Sequence, residues 1–300
     1  MARILATGSM ALDTTRTPFK TATRVLGGAA TFFAVSGAHF TGVSLLSIVG
    51  KDFPGKYLEM LGGRGIDLRG VQHGKGKSMF FDSTFSFDMY SRTANATELG
   101  VFKEFKPKVP SEYADIPYVY LGTMPPERQL EVLEQCTNRK FALMDTIEFY
   151  IKNFKPRVWK TIAEVDGMVL NDIEARMLCR QTSLFKCARQ IMKSGPKLVV
   201  IKKGENGSIL FYEDTVFPLA AYPLENVVDP TGAGDAFAGG FFGHIARSGK
   251  VSMPVLKEAM AYGNIMGSYA IEDFSVNKLV AISPKLVQER FEKYKRMASF

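Results

Sequence analysis

Short runs of β-branched and aromatic residues alternate along the chain with longer stretches whose apolar positions recur at helical spacing. The runs at 4–7, 43–49, 118–121, 142–145, 167–170 and 198–202 read as strands, and helices are predicted at 29–38, 55–61, 127–136 and 173–179. Strand followed by helix, repeated in this way, predicts βαβ units and a largely parallel sheet, because a parallel return needs a crossover. No internal repeat and no Pro-, Gly- or Ser-rich linker divides the pattern, so residues 1–300 read as a single α/β domain.

The segment 78–105 breaks the alternation. Polar residues at 82, 84, 86 and 88 alternate in part with apolar ones at 81, 85, 87 and 89, which is strand periodicity with no helix before the next strand. It predicts an antiparallel excursion from the parallel sheet. An edge hairpin and a cover over a bound substrate are both open at this point.

Composition narrows the class. Hydrophobic residues make up 46% of the 300 and charged residues 23%, as in ordinary globular proteins, and no run of 18 apolar residues suggests a membrane span. The stretch 1–8 reads as a first strand and lacks the apolar core of a signal peptide. Cys136, Cys179 and Cys187 show no metal-ligand spacing and suit a reducing cytoplasm. The net charge is +8, with basic residues clustered at 75–77, 103–108 and 293–296, and the last cluster interleaves with Glu289 and Glu292 as on a solvated helix face. A nucleic-acid footprint would need a purer basic stripe, whereas a positive field suits a small polyanionic substrate.

The chemistry concentrates in Val227-Val228-Asp229-Pro230-Thr231-Gly232-Ala233-Gly234-Asp235-Ala236-Phe237, continuing to Gly239, Gly240 and Gly243. A strand end passes through a glycine turn into a helix, so backbone N–H groups and the positive end of the helix dipole face one point. Asp235 sits beside this anion cradle; taken alone it could equally be a helix cap. Interior helix glycines forgo about 1 kcal/mol each, which implies a compensating close approach to a neighbouring element or a ligand. A P-loop does not explain the loop. Gly76-Lys77-Ser78 has Val71 where the first glycine belongs, and 243–250 has one residue too many. A dinucleotide fingerprint fails at Phe237.

The loop resembles the C-terminal signature of the PfkB (ribokinase-like) carbohydrate kinases. Gly27-Gly28-Ala29-Ala30 with 48–55 resembles the N-terminal signature, Asn171-Asp172-Ile173-Glu174 the NxxE motif, and 199–207 the strand and turn beneath ATP. The resemblance implies a three-layer fold with a small β-lid, formed by about 11–26 and 76–106. It also implies ATP-dependent phosphorylation of a hydroxyl. Asp235 would be the base, and the amides of Gly232, Ala233 and Gly234 the anion hole. Asn171 and Glu174 would organise Mg²⁺ through water, although such a pair also caps helices. Lys203, Gly204, Gly207 and Asn264 would line the nucleotide side. Asp13 would hold acceptor hydroxyls, Gly27 and Gly28 would let the sugar lie on backbone, and Asp145 would sit near the phosphates. Asp229 and Thr231 match positions that bind a monovalent cation such as K⁺ in some members.

Two departures bear on the acceptor. The segment 29–33 has no asparagine for sugar hydroxyls, and Lys202-Lys203 replaces the usual Thr-Leu before Gly204. The lid is rich in aromatics, with Phe81, Phe85, Phe87 and Tyr90. A sugar or polyol acceptor is therefore the first expectation and a nucleoside the second, with lid aromatics stacking on a base or on the partner lid of a homodimer. A binding protein without turnover is the reading from another class.

Overall fold

The computed structural model describes residues 3–298, so Met1 and Ala2, part of the N-terminal stretch read above, and residues 299–300 lie outside it. The chain opens with β1 (Arg3–Thr7), β2 (Ala11–Arg16), β3 (Thr21–Gly27), α1 (Ala29–Gly37), β4 (Gly42–Val49), α2 (Gly55–Gly63) and β5 (Asp67–His73). It continues through β6 (Met79–Phe85), β7 (Arg92–Glu98), β8 (Tyr118–Leu121), α3 (Pro126–Glu134), β9 (Phe141–Met144), α4 (Glu148–Ile162), β10 (Gly167–Asn171) and α5 (Asp172–Cys179). After α6 (Leu184–Met192) come β11 (Leu198–Lys202), β12 (Ser208–Tyr212), β13 (Thr215–Leu219), α7 (Ala233–Ser248), α8 (Met253–Ala270), α9 (Asn277–Ala281) and α10 (Pro284–Ala298).

Nine strands form the central sheet in the order β13-β12-β11-β10-β9-β8-β1-β4-β5. It is parallel from β11 to β5, while β12 pairs antiparallel with β11 and β13 with β12. The expected strands sit at its centre because they are buried on both faces. In β8, Tyr118 and Tyr120 join one core, with Phe33 and Phe242, and Val119 and Leu121 join the other, with Val158 and Leu178. Helices α1, α7 and α8 cover the first face and α3 to α6 the second, giving three layers. Such doubly covered strands read as continuous apolar runs.

A separate four-stranded sheet, β3-β2-β6-β7, forms the lid. Its β6–β7 hairpin is antiparallel, as the periodicity of 78–105 predicts, but its centre is a parallel β2–β6 pair. The cause is topological: β2 follows β1 and β6 follows β5 by short turns, and β1 and β5 run in one direction. Two hairpins thus leave the same edge side by side. Arg16 of β2 pairs with Asp82 of β6 across this seam.

The interior glycines of α7 find their compensation in neighbouring helices. A Cβ on Gly239 would overlap the Phe33 carbonyl of α1, and one on Gly240 would come within 2.8 Å of the Tyr262 carbonyl of α8. Gly239→Ala is accordingly expected to cost about 2 kcal/mol of stability through overpacking, measured as a lowered urea midpoint with unchanged m-value.

Candidate active site

The loop 228–232 hangs from the end of α8: the amides of Val228 and Asp229 both donate to the Ile271 carbonyl, at 2.8 and 3.3 Å. Asp229 then accepts from the Thr231 amide at 2.9 Å, which tightens the turn into α7. Burial pushes the Asp229 carboxyl up, and its bonds with Thr231 draw it back. Thr231 also meets Thr15 of the lid, hydroxyl to hydroxyl, at 3.4 Å. Gly232 closes the turn in the left-handed region, φ 77°, and a Cβ there would overlap the ring of Phe32. No side chain caps α7. Ala233 gives its amide to Pro230 in a long 3.3 Å bond, so the first turn presents a bare cluster of donors.

Asp235 stands in that first turn and faces a cleft of about 140 Å³. Ser9 and Gly28 line the cleft together with Asp13, Met79, Phe81 and Arg92 from the lid strands, and Thr231 and Gly232 from the loop into α7. Burial, and next the negative Asp145, lift Asp235 to about 7, against the pull of Lys202 and Arg92. Asp13 is lifted to about 7 by burial and by Asp229, and the Gly28 amide opposes this. Its Oδ1 is buried without a hydrogen-bond partner among the described residues. Gly27 has a use that its sequence position did not disclose. A Cβ there would overlap the carboxylate of Asp13, and one on Gly28 (φ 95°) would overlap the Ser9 carbonyl. The glycine pair thus seats Asp13 against the chain, and Gly28 also borders the cleft.

Beside the cradle lies a polar cluster from three strand ends. Asn171 and Glu174 form a reciprocal capping box on α5: Asn171 Oδ1 accepts from the Glu174 amide, and Glu174 Oε2 from the Asn171 amide, both at 2.8 Å. Capping engages Oε2, one of the two carboxylate oxygens of Glu174. Burial and the neighbouring Asp145 raise the Glu174 carboxyl, and Lys202 opposes them. Lys202 Nζ donates to Asp145 Oδ2 at 3.0 Å, and Asp145 Oδ1 accepts from the Thr146 amide at 2.7 Å. Among the described residues no three His, Cys, Asp or Glu side chains gather as a metal cage. One or two hard carboxylate oxygens fit Mg²⁺, which keeps its waters and is held largely by substrate phosphates.

The loop after β11 turns on Gly204 (φ 56°) and Gly207 (φ 79°), with the Lys203 amide donating to the Gly207 carbonyl at 2.7 Å. Gly204 packs under the lid-tip ring of Tyr90, so the lid spans from the cleft beside Asp235 to this loop. Asn264 is turned inward. Its Nδ2 donates to Tyr294 Oη at 2.9 Å and to the Ala220 carbonyl at 3.3 Å, which leaves Oδ1 as what it could offer a nucleotide. The lid aromatics separate: Phe81 walls the cleft, Phe85 is buried, and Phe87, 82% exposed, meets Phe19 at the rim. Arg92 is the member the sequence reading missed. It lies on the exposed strand β7, its guanidinium 5.0 Å from the Phe81 centroid, and it attracts Asp13, Asp229 and Asp235. Only the polar alternation of 93, 95 and 97 could have placed its strand.

The pattern of the pfkB family of carbohydrate kinases matches residues 1–281. The chain is 31% identical over 258 residues to a cytidine kinase of Thermococcus kodakarensis, covering 82% of this chain and 90% of the relative. It superposes on Burkholderia thailandensis nucleoside kinase in complex with inosine with a TM-score of 0.82 at 21% identity, covering 97% of this chain and 98% of that one. For Arabidopsis thaliana ribokinase complexed with ribose and ATP the TM-score is 0.79 at 20% identity, over 97% and 99%. With a ribokinase-like fold, a bare helix end and an aspartate poised beside it, the chain belongs to the pfkB family of carbohydrate kinases and is an ATP-dependent kinase.

Proposed function

We propose that the acceptor is a nucleoside, phosphorylated on a ribose hydroxyl. The observation that carries this reading is the lid wall of the cleft, where Phe81, backed by the Arg92 guanidinium, lies beside Asp13, its register partner on the neighbouring strand. An aromatic plane side by side with an acid that can bind hydroxyls suits a base joined to a sugar. The 31% identity to a cytidine kinase supports it.

In this reading Asp13 orients the ribose, and Asp235 takes the proton of the attacking hydroxyl. The amides of Gly232, Ala233 and Gly234 stabilise charge on the transferring phosphoryl. Glu174, with Asn171 beside it, would hold Mg²⁺ through water; the ion supplies charge neutralisation of the phosphates. Lys203, Gly204, Gly207 and the free oxygen of Asn264 serve the nucleotide. A homodimer through the lid would use the rim at Phe19 and Phe87.

The test is ADP formation from Mg-ATP with cytidine, other nucleosides, ribose, fructose and inositol. Turnover on a nucleoside is expected; turnover confined to free sugars would overturn the acceptor assigned here. Phe81→Ala is expected to raise KM for the nucleoside about tenfold, with kcat within about threefold, because base stacking contributes binding and not chemistry.

A further inference from the structure

Lys202 ends β11, where the family resemblance leads one to expect threonine, and nothing assigned so far uses its charge. The side chain is only 16% exposed, and Asp145, 5% exposed, is the one group it bonds among the described residues. An ammonium has three donors, so two remain. Gly234 lies beside them: a Cβ on that residue would lie 3.0 Å from Lys202 Nζ. The ammonium therefore rests against the first turn of α7, beside the amides of the cradle.

Burying an ion pair is seldom the most stable solution for a fold, since desolvation offsets much of the attraction. The position suits a ligand better. Asp145, Glu174 and Asp235 all act on Lys202. A nucleoside triphosphate entering this carboxylate-lined corner needs a fixed cation facing it, and Arg92, which lines the neighbouring cleft, sits on the exposed lid strand.

We propose that Lys202 is a catalytic residue that contacts the terminal phosphate of ATP through its free N–H donors and follows that group to the acceptor. The acceptor O–P bond forms as the bond from the γ-phosphorus to the bridging β–γ oxygen breaks. The electron pair leaves with ADP, the hydroxyl proton goes to Asp235, and Lys202 keeps all its protons. The competing role is structural: Lys202 would merely neutralise Asp145. This inference rests on the kinase activity and not on which acceptor is used.

Two measurements separate the roles. The first is the affinity of ATP and of ADP, by calorimetry in EDTA, for wild type and Lys202→Met. Loss of about tenfold in ATP affinity with ADP changed by less than about threefold is expected, as for a lost charge-assisted contact. An unchanged ATP-to-ADP ratio would overturn the proposal. The second is kcat with cytidine for Lys202→Met and for Lys202→Met/Asp145→Asn. A fall of about 10²-fold in both is expected; recovery of the double variant to within about threefold of wild type would show that Lys202 only balances Asp145. Lys202→Thr carries the same expectations if the methionine variant does not fold. The affinity ratio needs no acceptor, so it decides the point even where cytidine is not turned over, an outcome that wild type alone reveals.

Discussion

Asp235→Asn is expected to lower kcat by about 10³-fold while making the protein more stable at pH 8. The first half follows from chemistry: asparagine keeps the shape but cannot accept the hydroxyl proton, and general-base catalysis contributes about 10²- to 10⁴-fold. Initial rates of ADP formation check it, and near-wild-type turnover would remove Asp235 from the mechanism. The second half follows from linkage. Asp235 is lifted from 3.8 to about 7 in the fold by burial and by Asp145. Between those values the folded chain binds a proton that the unfolded chain has released, so stability falls as pH rises from about 4 through 7. Asparagine removes that loss. Its advantage is on the order of 2 kcal/mol at pH 8 and vanishes near pH 4, read from urea unfolding across that range. Wild-type kcat is expected to fall as pH drops below about 7 if Asp235 is the base, because only the carboxylate can accept the proton.

Gly232→Ala is expected to damage both fold and rate. The residue needs φ 77°, and its missing Cβ is filled by the buried ring of Phe32. Backbone strain and overpacking together cost about 3 kcal/mol. Relief of the clash tilts the first turn of α7 and displaces several donors at once, so kcat falls about 10³-fold. Adding Phe32→Leu is expected to return part of the stability and little of the rate. Thermal unfolding and steady-state kinetics on the single and double variants test this. Normal turnover by Gly232→Ala would mean that these amides do not hold the transferring group.

The strands that the chain spells out most clearly are those covered on both faces. β1, β4 and β8 to β11 are dense apolar runs because no side of them meets water. The edges were not legible for the same reason. β5 reads Asp-Leu-Arg-Gly-Val-Gln-His and β13 carries Pro218, as an outer strand tolerates. α4 hides its period behind Pro156 and a non-helical Phe154. At the site, the glycine loop announced its anion cradle because backbone geometry is local. What stayed hidden depends on distant partners: Lys202 with Asp145, 57 positions apart, Gly27 with Asp13, and Arg92 arriving on the lid. The glycines of α7 implied a close neighbour, and only the fold identifies it as two helices.

That glycine-faced helix has a consequence for how such a chain changes over time. Where α1 and α8 press against α7, almost any drift in side chain is penalised, so the element that carries Asp235 is held to a narrow vocabulary. Strand β7 is exposed along nearly its whole length and can accept new residues freely, yet it delivers Arg92 to the cleft beside Asp235. Mutational tolerance is thus split between two parts of one site. New acceptor preferences can be explored on the lid while the phosphoryl-transfer machinery stays unaltered beneath it.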